Sequence, residues 1–265
     1  MNRKKPSLPG RVSRGPPIAA IVLAAAMVLA TGPPARATSL GQLDLRYAGS
    51  DFYRNGIVHL DGGTTVLVTG KYILEVDTNP ATYWGQGKDV VEQADTNDML
   101  DTFCADLEQA ALGDFTTYDV YHPEYAPIGA GNSPMGIEKA WDLRRLFNQH
   151  LGDVASANGA AAFQAAVWEI VYEDTGTYNV KDSASRLWIE KMAHDPDWLT
   201  TANTWLTGLG TGHPDVGLRV LANEDYQDYA LVVLGLPADP VPEPVTLAGL
   251  MLGVGSLVGY LRRRR

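Results

Sequence analysis

The sequence predicts an α+β fold, with a β-rich N-terminal part, a helical C-terminal part packed against it, and a closing strand. Residues 38–77 hold short runs of Val, Ile, Leu and Tyr, separated by turns such as Asp61-Gly62-Gly63. Apolar residues recur at helical spacing between 133 and 209, and "DYQDYALVVLG", 225–235, is typical of a strand. Because strands come first and helices follow, the order favours α+β over alternating α/β.

Two further strands are predicted before the helical part. These are "FCADLE", 103–108, and "FTTYDVYH", 115–122. If 102–108 is extended, Cys104 and Asp106 point to the opposite face from Phe103. The segments 78–100 and 124–136 are predicted to be loops.

Four helices are predicted in the second part. Ser133-Pro134 is expected to open the first, which runs to Leu151 with Ile137 and Trp141 on its apolar stripe. The others are predicted from "AAAFQAAVWEIVYED", 160–174, "SASRLWIEKMAH", 183–194, and "PDWLTTANTWLTGL", 196–209. Together these elements predict one domain over 38–235.

The N-terminal 37 residues are predicted to be a secretory signal peptide. Arg3, Lys4 and Lys5 precede the apolar run Ile18 to Ala30, and "ARA" at 35–37 offers the small residues of a cleavage site. Cleavage after Ala37 would leave a mature chain that begins near Thr38.

The C-terminal end has the parts of a sorting signal. A linker, 236–244, contains Pro242, Glu243 and Pro244, and is followed by an apolar run from Val245 and four terminal arginines. The run is near the short end of the roughly 17–25 residues of a transmembrane helix, and the arginines favour the cytoplasmic side. We therefore predict a transmembrane sorting helix and basic tail over 245–265.

These C-terminal residues resemble the PEP-CTERM sorting tag. The resemblance implies processing by an exosortase in a Gram-negative bacterium that makes exopolysaccharide. The expected location is the cell surface or extracellular matrix, after transient anchoring in the inner membrane.

The predicted mature domain is strongly acidic. The net charge of the whole chain is −10, but ten of its 21 basic residues lie before residue 38 or in the last four positions. All but one of the 31 acidic residues lie between these ends, so 11 basic and 30 acidic residues give about −19. Such a charge disfavours nucleic acid as a partner and suits cationic partners or solubility outside the cell.

Two residues in this domain are unusual for their positions. Cys104 is the only cysteine, whereas exported proteins usually pair their cysteines. Gln164 shares the apolar face of a predicted helix with Val167, Trp168 and Val171, where an unbonded amide is costly. Inert packing of Cys104 and a hydrogen bond from Gln164 to a loop carbonyl are the simple alternatives.

Together the two stretches resemble the thioester domain of surface adhesins, which has a cysteine after an aromatic residue and a downstream hydrophobic-Gln-x-Ala-hydrophobic-Trp helix. Here the matching stretches are Phe103-Cys104 and Phe163-Gln164-Ala165-Ala166-Val167-Trp168. The resemblance implies an internal thioester between Cys104 and Gln164, which an amine of an unidentified partner opens, with no cofactor. Phe103, Phe163 and Trp168 would shield the bond from water, and Glu169, Asp106 or His122 would activate it.

Two other classes of function stay open. A cysteine hydrolase or transglutaminase-like enzyme would use Cys104 with a histidine base, for which the candidates are His122, His150, His194 and His213. A passive matrix or biofilm protein would carry an inert Cys104. The spacing of His, Cys and carboxylates predicts no metal site.

Overall fold

The computed structural model describes residues 39–128, 133–173 and 178–236, which all belong to one compact unit. The predicted signal peptide, the Pro-Glu-Pro motif and the predicted transmembrane sorting helix lie outside these residues. Within them, no helix has the length and apolar character needed to cross a membrane. The described chain is β-rich with a few helices, as the α+β prediction expects.

Most strands join one antiparallel sheet. A long hairpin comes first, and its strands also pair with shorter strands from later in the chain, in the order β2-β4-β10-β9-β5-β1-β3 with β8 beside β1. Because β1 also pairs with β2, the path through β4, β10, β9 and β5 returns to its start. The strands are β1 Gly41–Leu60, β2 Gly63–Val76, β3 Trp84–Gly85, β4 Met99–Cys104, β5 Thr116–Tyr121, β6 Pro127–Ile128, β7 Ser133–Pro134, β8 Leu187–Lys191, β9 Leu218–Ala222 and β10 Tyr229–Val232, of which β6 and β7 form a separate pair.

The turn between β1 and β2 falls where the sequence predicts it. Leu60 pairs with Gly63, so Asp61 and Gly62 form a two-residue turn. Their φ angles are 51° and 81°, in the left-handed region that such hairpin turns require and that glycine adopts freely. The Asp-Gly pair therefore sets the register of the longest hairpin.

Four α-helices complete the described part, together with 3₁₀ turns at Pro123–Tyr125 and Leu151–Asp153. They are α1 Gly87–Val91, α2 Ile137–His150, α3 Ala157–Tyr172 and α4 Trp198–Thr207. Ser156 caps α3 by accepting from the Gly159 N–H, and Asp197 caps α4 by accepting from the Thr200 N–H.

Helix α3 is the centre of the core. Every residue from Ala160 to Tyr172 is buried, so the helix is covered on all sides. Five alanines within that stretch let neighbouring elements approach the helix closely, and α3 contacts β1, β2, β4, α2 and α4. A polar side chain on α3 must therefore find its partner inside the protein.

Several element predictions are wrong. The segment 183–194 contains strand β8 rather than a helix, because Leu187 and Ile189 alternate inward and pair with β1. Ser133-Pro134 lies in β7, and α2 begins only at Ile137. Ile137 is 40% exposed and therefore does not belong to the buried stripe of α2.

Two differences concern the strands. Strand β4 ends at Cys104, because Ala105 leaves the strand and donates to the Asp228 carbonyl. Asp106 therefore lies after the strand rather than on its alternating face. Strand β9 was not predicted, and it stands between β5 and β10 in the sheet.

Candidate functional site

Cys104 lies at the end of β4, an interior strand between β2 and β10. It is opposite Tyr229 of β10, and its side chain is fully buried. Among the described residues it is a free cysteine, and it is the only cysteine of the whole chain. Its thiol can therefore form no disulfide within this protein.

The Gln164 carboxamide is held against the backbone of Cys104 by two hydrogen bonds. The Cys104 N–H donates to Gln164 Oε1 at 2.8 Å, and Gln164 Nε2 donates to the Cys104 carbonyl at 2.8 Å. Both residues are fully buried, so no water competes for these groups. The structure thus brings together the two residues that the sequence singled out.

The end of the β2–β4 ladder explains this pairing. The ladder stops at Tyr72 and Thr102, two residues before Cys104. The Cys104 N–H and carbonyl then have no strand partner on that side, and the Gln164 amide supplies one donor and one acceptor in its place. This gives Gln164 a structural role in addition to any chemical one.

The Cys104 sulfur lies among polar groups. Its Sγ donates to the Asp106 carbonyl at 2.8 Å and accepts from Gln227 Nε2 at 2.8 Å and from the Trp168 indole N–H at 3.3 Å. Burial raises the pKa of Cys104, although the Trp168 hydrogen bond opposes that effect. The resting sulfur is therefore a neutral thiol, and it must lose its proton to act as a nucleophile.

The Asp106 carboxyl is held by further hydrogen bonds. Tyr172 donates its hydroxyl hydrogen to Asp106 Oδ1 at 2.9 Å and accepts from the Leu107 N–H at 2.7 Å. The Glu108 N–H also donates to Asp106 Oδ1. Burial raises the pKa of Asp106, so its carboxyl holds a proton more readily than usual.

Two buried oxygen atoms at this junction accept no hydrogen bond from the described part of the protein. They are Asp106 Oδ2 and Gln227 Oε1. Asp106 is 1% exposed and Gln227 is 7% exposed, so both atoms lack bulk water as well. Buried acceptors without a donor are uncommon in folded proteins, and each one calls for a physical explanation.

Aromatic rings pack beside the Cys104–Gln164 pair. The Phe103 and Phe163 ring centroids are 4.4 Å apart, and Phe147 meets both rings edge-on. Phe103, Phe163 and Trp168 are at most 1% exposed. Buried aromatic rings therefore occur in the segments on either side of the pair, whereas the sulfur itself is surrounded by the polar groups named above.

The other candidate activating residues lie away from the sulfur's hydrogen bonds. Glu169 accepts from the Asn179 N–H at 2.6 Å, and burial raises its pKa to about 7. His122 lies beside the Tyr125 ring, after β5. Only Asp106 of the three suggested residues contacts Sγ, and it does so through its backbone carbonyl.

The histidines proposed for an enzyme are likewise not bonded to Cys104. Within residues that the structure describes, the partners of Sγ include no histidine. His150 stacks on Trp205, and His213 stacks on Trp141. The described ranges also contain no group of three His, Cys, Asp or Glu residues that would hold a metal ion.

Sequence reasoning missed Tyr172, Gln227 and Asp228. Tyr172 had a signal, because Gln164, Trp168 and Tyr172 follow each other at steps of four residues along α3, and all three contact the segment around Cys104. Gln227 and Asp228 had none, because they reach Cys104 and Ala105 from the distant segment before β10.

Comparison with known proteins adds no match. The chain matches no protein family model, no curated protein and no solved structure. The interpretation of the site therefore depends on its residues and their geometry.

Proposed function

We propose that this chain is an exported, exosortase-sorted protein that forms an internal thioester between Cys104 and Gln164 and attaches covalently to an amine-bearing partner. The protein would be located at the cell surface or in the extracellular matrix. The single observation that supports the chemistry best is the pair of 2.8 Å hydrogen bonds that hold the Gln164 carboxamide against Cys104. These bonds place the Gln164 carboxamide beside the residue that carries the thiol, in a buried site where proximity favours reaction between the two groups.

In the proposed reaction, the Cys104 thiol and the Gln164 carboxamide form a thioester with loss of ammonia. The Cys104 sulfur attacks Cδ of Gln164, and negative charge develops on Oε1, which already accepts from the Cys104 N–H. A donor placed at this oxygen stabilises the tetrahedral intermediate. The Cδ–Nε2 bond then breaks, the thiol proton leaves with the nitrogen, and ammonia departs as the S–Cδ bond remains.

Proton transfer is the demanding step, because burial raises the pKa of Cys104. The Asp106 carboxyl is the group with the best support for this role. It belongs to the residue whose carbonyl accepts the S–H, and its Oδ2 has no hydrogen-bond donor among the described residues. Burial raises the pKa of Asp106, which makes its carboxyl a better proton acceptor than an exposed aspartate.

Attachment reverses the sulfur chemistry. The amine nitrogen of the partner attacks Cδ, the C–S bond breaks, and one amine proton restores the Cys104 thiol. Residue 164 ends as a secondary amide with one N–H. That N–H can again donate to the Cys104 carbonyl, as Gln164 Nε2 does before the reaction. The linked product thus fits the same pair of hydrogen bonds as the original side chain.

The test is intact-mass spectrometry of freshly purified mature domain. We expect a mass below the sequence mass by one ammonia, and no alkylation of Cys104 under native conditions. Methylamine should add at residue 164 and expose the thiol in the same step. Cys104→Ala and Gln164→Glu should show no missing ammonia and no methylamine adduct, and Gln164→Glu keeps the acceptor at Oε1 as a matched control.

A passive matrix protein is the second candidate, and one observation favours it. The two hydrogen bonds between Gln164 and Cys104 satisfy a buried amide without any reaction. In that case gently handled wild-type protein would have its full sequence mass and an unmodified Gln164. The mass measurement therefore separates the two candidates directly.

A further inference from the structure

We propose that a cleft at the C-terminal end of α3 is the entrance for the amine, and that Tyr172 separates this cleft from the buried thioester site. This inference rests on the proposed function and adds a route for the amine to it. The cleft measures about 320 Å³. One wall comes from Ile128, Ser133 and Pro134, and the other from Glu108, Tyr172 and Arg186.

Tyr172 belongs to both the cleft and the site. Its side chain lines the cleft, although the residue is only 3% exposed. Its hydroxyl group contacts Asp106 Oδ1 and the Leu107 N–H, which follow Cys104 directly in the chain. A rotation of this one ring would therefore open a path from the cleft to the residues around the sulfur.

The inner end of this path suits an amine. Behind Tyr172 lies the Asp106 carboxyl, whose Oδ2 is buried and accepts no hydrogen bond from the described residues. An incoming ammonium group supplies donors for that oxygen and gives it the proton that the amine must lose before attack. Gln227 Oε1 is a second unpaired acceptor beside the sulfur.

Charged side chains of both signs line the cleft. Lys139 Nζ donates to the Val171 carbonyl at 2.7 Å. Arg186 binds Asp61 at 2.8 Å and lies over the Tyr172 ring at 5.6 Å. Glu108 adds a carboxylate to the cleft wall. An amine that enters here would therefore pass Arg186 before it reaches Tyr172 and the Asp106 carboxyl behind that ring.

The volume of the cleft is sufficient for a small primary amine. A volume of about 320 Å³ is near the lower limit of ligand pockets, which span about 300–1,000 Å³. Cadaverine and a lysine-containing peptide are suitable probes, because the first is a free diamine and the second carries its amine on a side chain.

The test measures the rate of amine uptake by mature protein that has already formed the thioester, as shown by a mass that is lower by one ammonia. Ser133→Trp and Ile128→Trp place a large ring in the outer cleft, and each should slow uptake of cadaverine and of the lysine peptide at least tenfold. Thr211→Trp adds the same ring at an exposed position outside the cleft and should leave uptake unchanged.

Tyr172 has its own pair of variants. Tyr172→Ala should open the site to water, so that the thioester hydrolyses to Glu at position 164 at least tenfold faster than in wild type. Tyr172→Phe keeps the ring and should hydrolyse much more slowly than Tyr172→Ala.

The outcomes separate this inference from the proposed function. Full sequence mass in the wild type would overturn the thioester itself, and the entrance with it. Missing ammonia, together with equal uptake by Ser133→Trp, Ile128→Trp and Thr211→Trp, would overturn the entrance alone.

Discussion

Two of the buried polar centres in the described part of the protein lie on neighbouring helices, and they differ in kind. On α2, Arg144 is fully buried and binds Glu124, which is 3% exposed, at 2.8 Å. On α3, Gln164 is equally buried, but its partner is the backbone of Cys104. The first centre joins two opposite charges, and the second joins a neutral amide to the residue that carries a thiol.

The contrast lies in the functional groups that each centre brings together. In the Arg144–Glu124 pair each charge compensates the other, and neither group is a nucleophile or an acyl donor under ordinary conditions. At the other centre the Gln164 carboxamide lies against the backbone of a residue that carries a thiol. Atoms that lack a hydrogen-bond partner among the described residues occur at both centres, since Arg144 Nε and Nη1 lack one as do Asp106 Oδ2 and Gln227 Oε1. Burial of a polar group alone would not have distinguished the two.

The largest stability effect is expected at the charged centre. Arg144→Met should lower the free energy of unfolding by roughly 3–5 kcal/mol, because it leaves the Glu124 carboxylate buried and unpaired. The double variant Arg144→Met/Glu124→Gln should recover much of that loss. Urea unfolding measures the free energy of unfolding of each variant. Equal instability of the single and double variants would contradict the role of the charged pair. Arg144→Met protein that has folded should still lose ammonia at the Cys104 site.

The next effect is a pH dependence near the sulfur. Burial raises the pKa of Asp228 from 3.8 to about 8, so the folded state keeps a proton that the unfolded state loses between these values. The contribution of Asp228 to the free energy of unfolding is therefore highest below about pH 4, falls as the pH rises, and stays low above about pH 8.

Asp228→Asn should remove this penalty. At pH 8 the variant should be more stable than wild type by on the order of a few kcal/mol, with little difference at pH 4. Asp225→Asn alters an exposed neighbour and is the control. Thermal unfolding across this range is the measurement, and parallel pH profiles for Asp228→Asn and wild type would contradict the expected link.

The smallest effect concerns the hydrogen bond to the sulfur. Trp168→Phe removes the indole N–H that donates to Cys104 Sγ at 3.3 Å. We expect this hydrogen bond to contribute about 1 kcal/mol of net stability. A double-mutant cycle with Cys104→Ala isolates it from the lost ring volume, and a coupling energy of zero would remove Trp168 from the polar surroundings of the thiol.

Local signals predicted part of the fold. The Asp61-Gly62 turn, strand β5 and helix α4 follow from turn chemistry, β-branched and aromatic content, and apolar spacing. Strand β8 did not, because its five residues form a strand through pairing with β1, a contact that no local pattern reveals. Helix α2 was predicted, but its buried face was not. A buried arginine, Arg144, occupies an inward position that apolar spacing assigns to a hydrophobic residue.

The candidate site was likewise predictable only in part. Cys104 and Gln164 were visible because each is exceptional for its own segment, as a lone cysteine and as an amide on an apolar helix face. Gln227 is an ordinary polar residue in its segment and gains meaning only when β10 pairs with β4. Side chains that act through long-range strand pairing escape any argument from local pattern.

The separation of Cys104 and Gln164 along the chain also sets the timing of the proposed reaction. Their positions are 60 apart along the chain, so only the assembled core brings the two groups together. A nascent or unfolded chain has a plain thiol and a plain amide, and cannot cross-link to amines that it meets before folding is complete. A missing ammonia would thus record that an individual molecule had folded at least once, and the proportion of molecules without it would count those that had not.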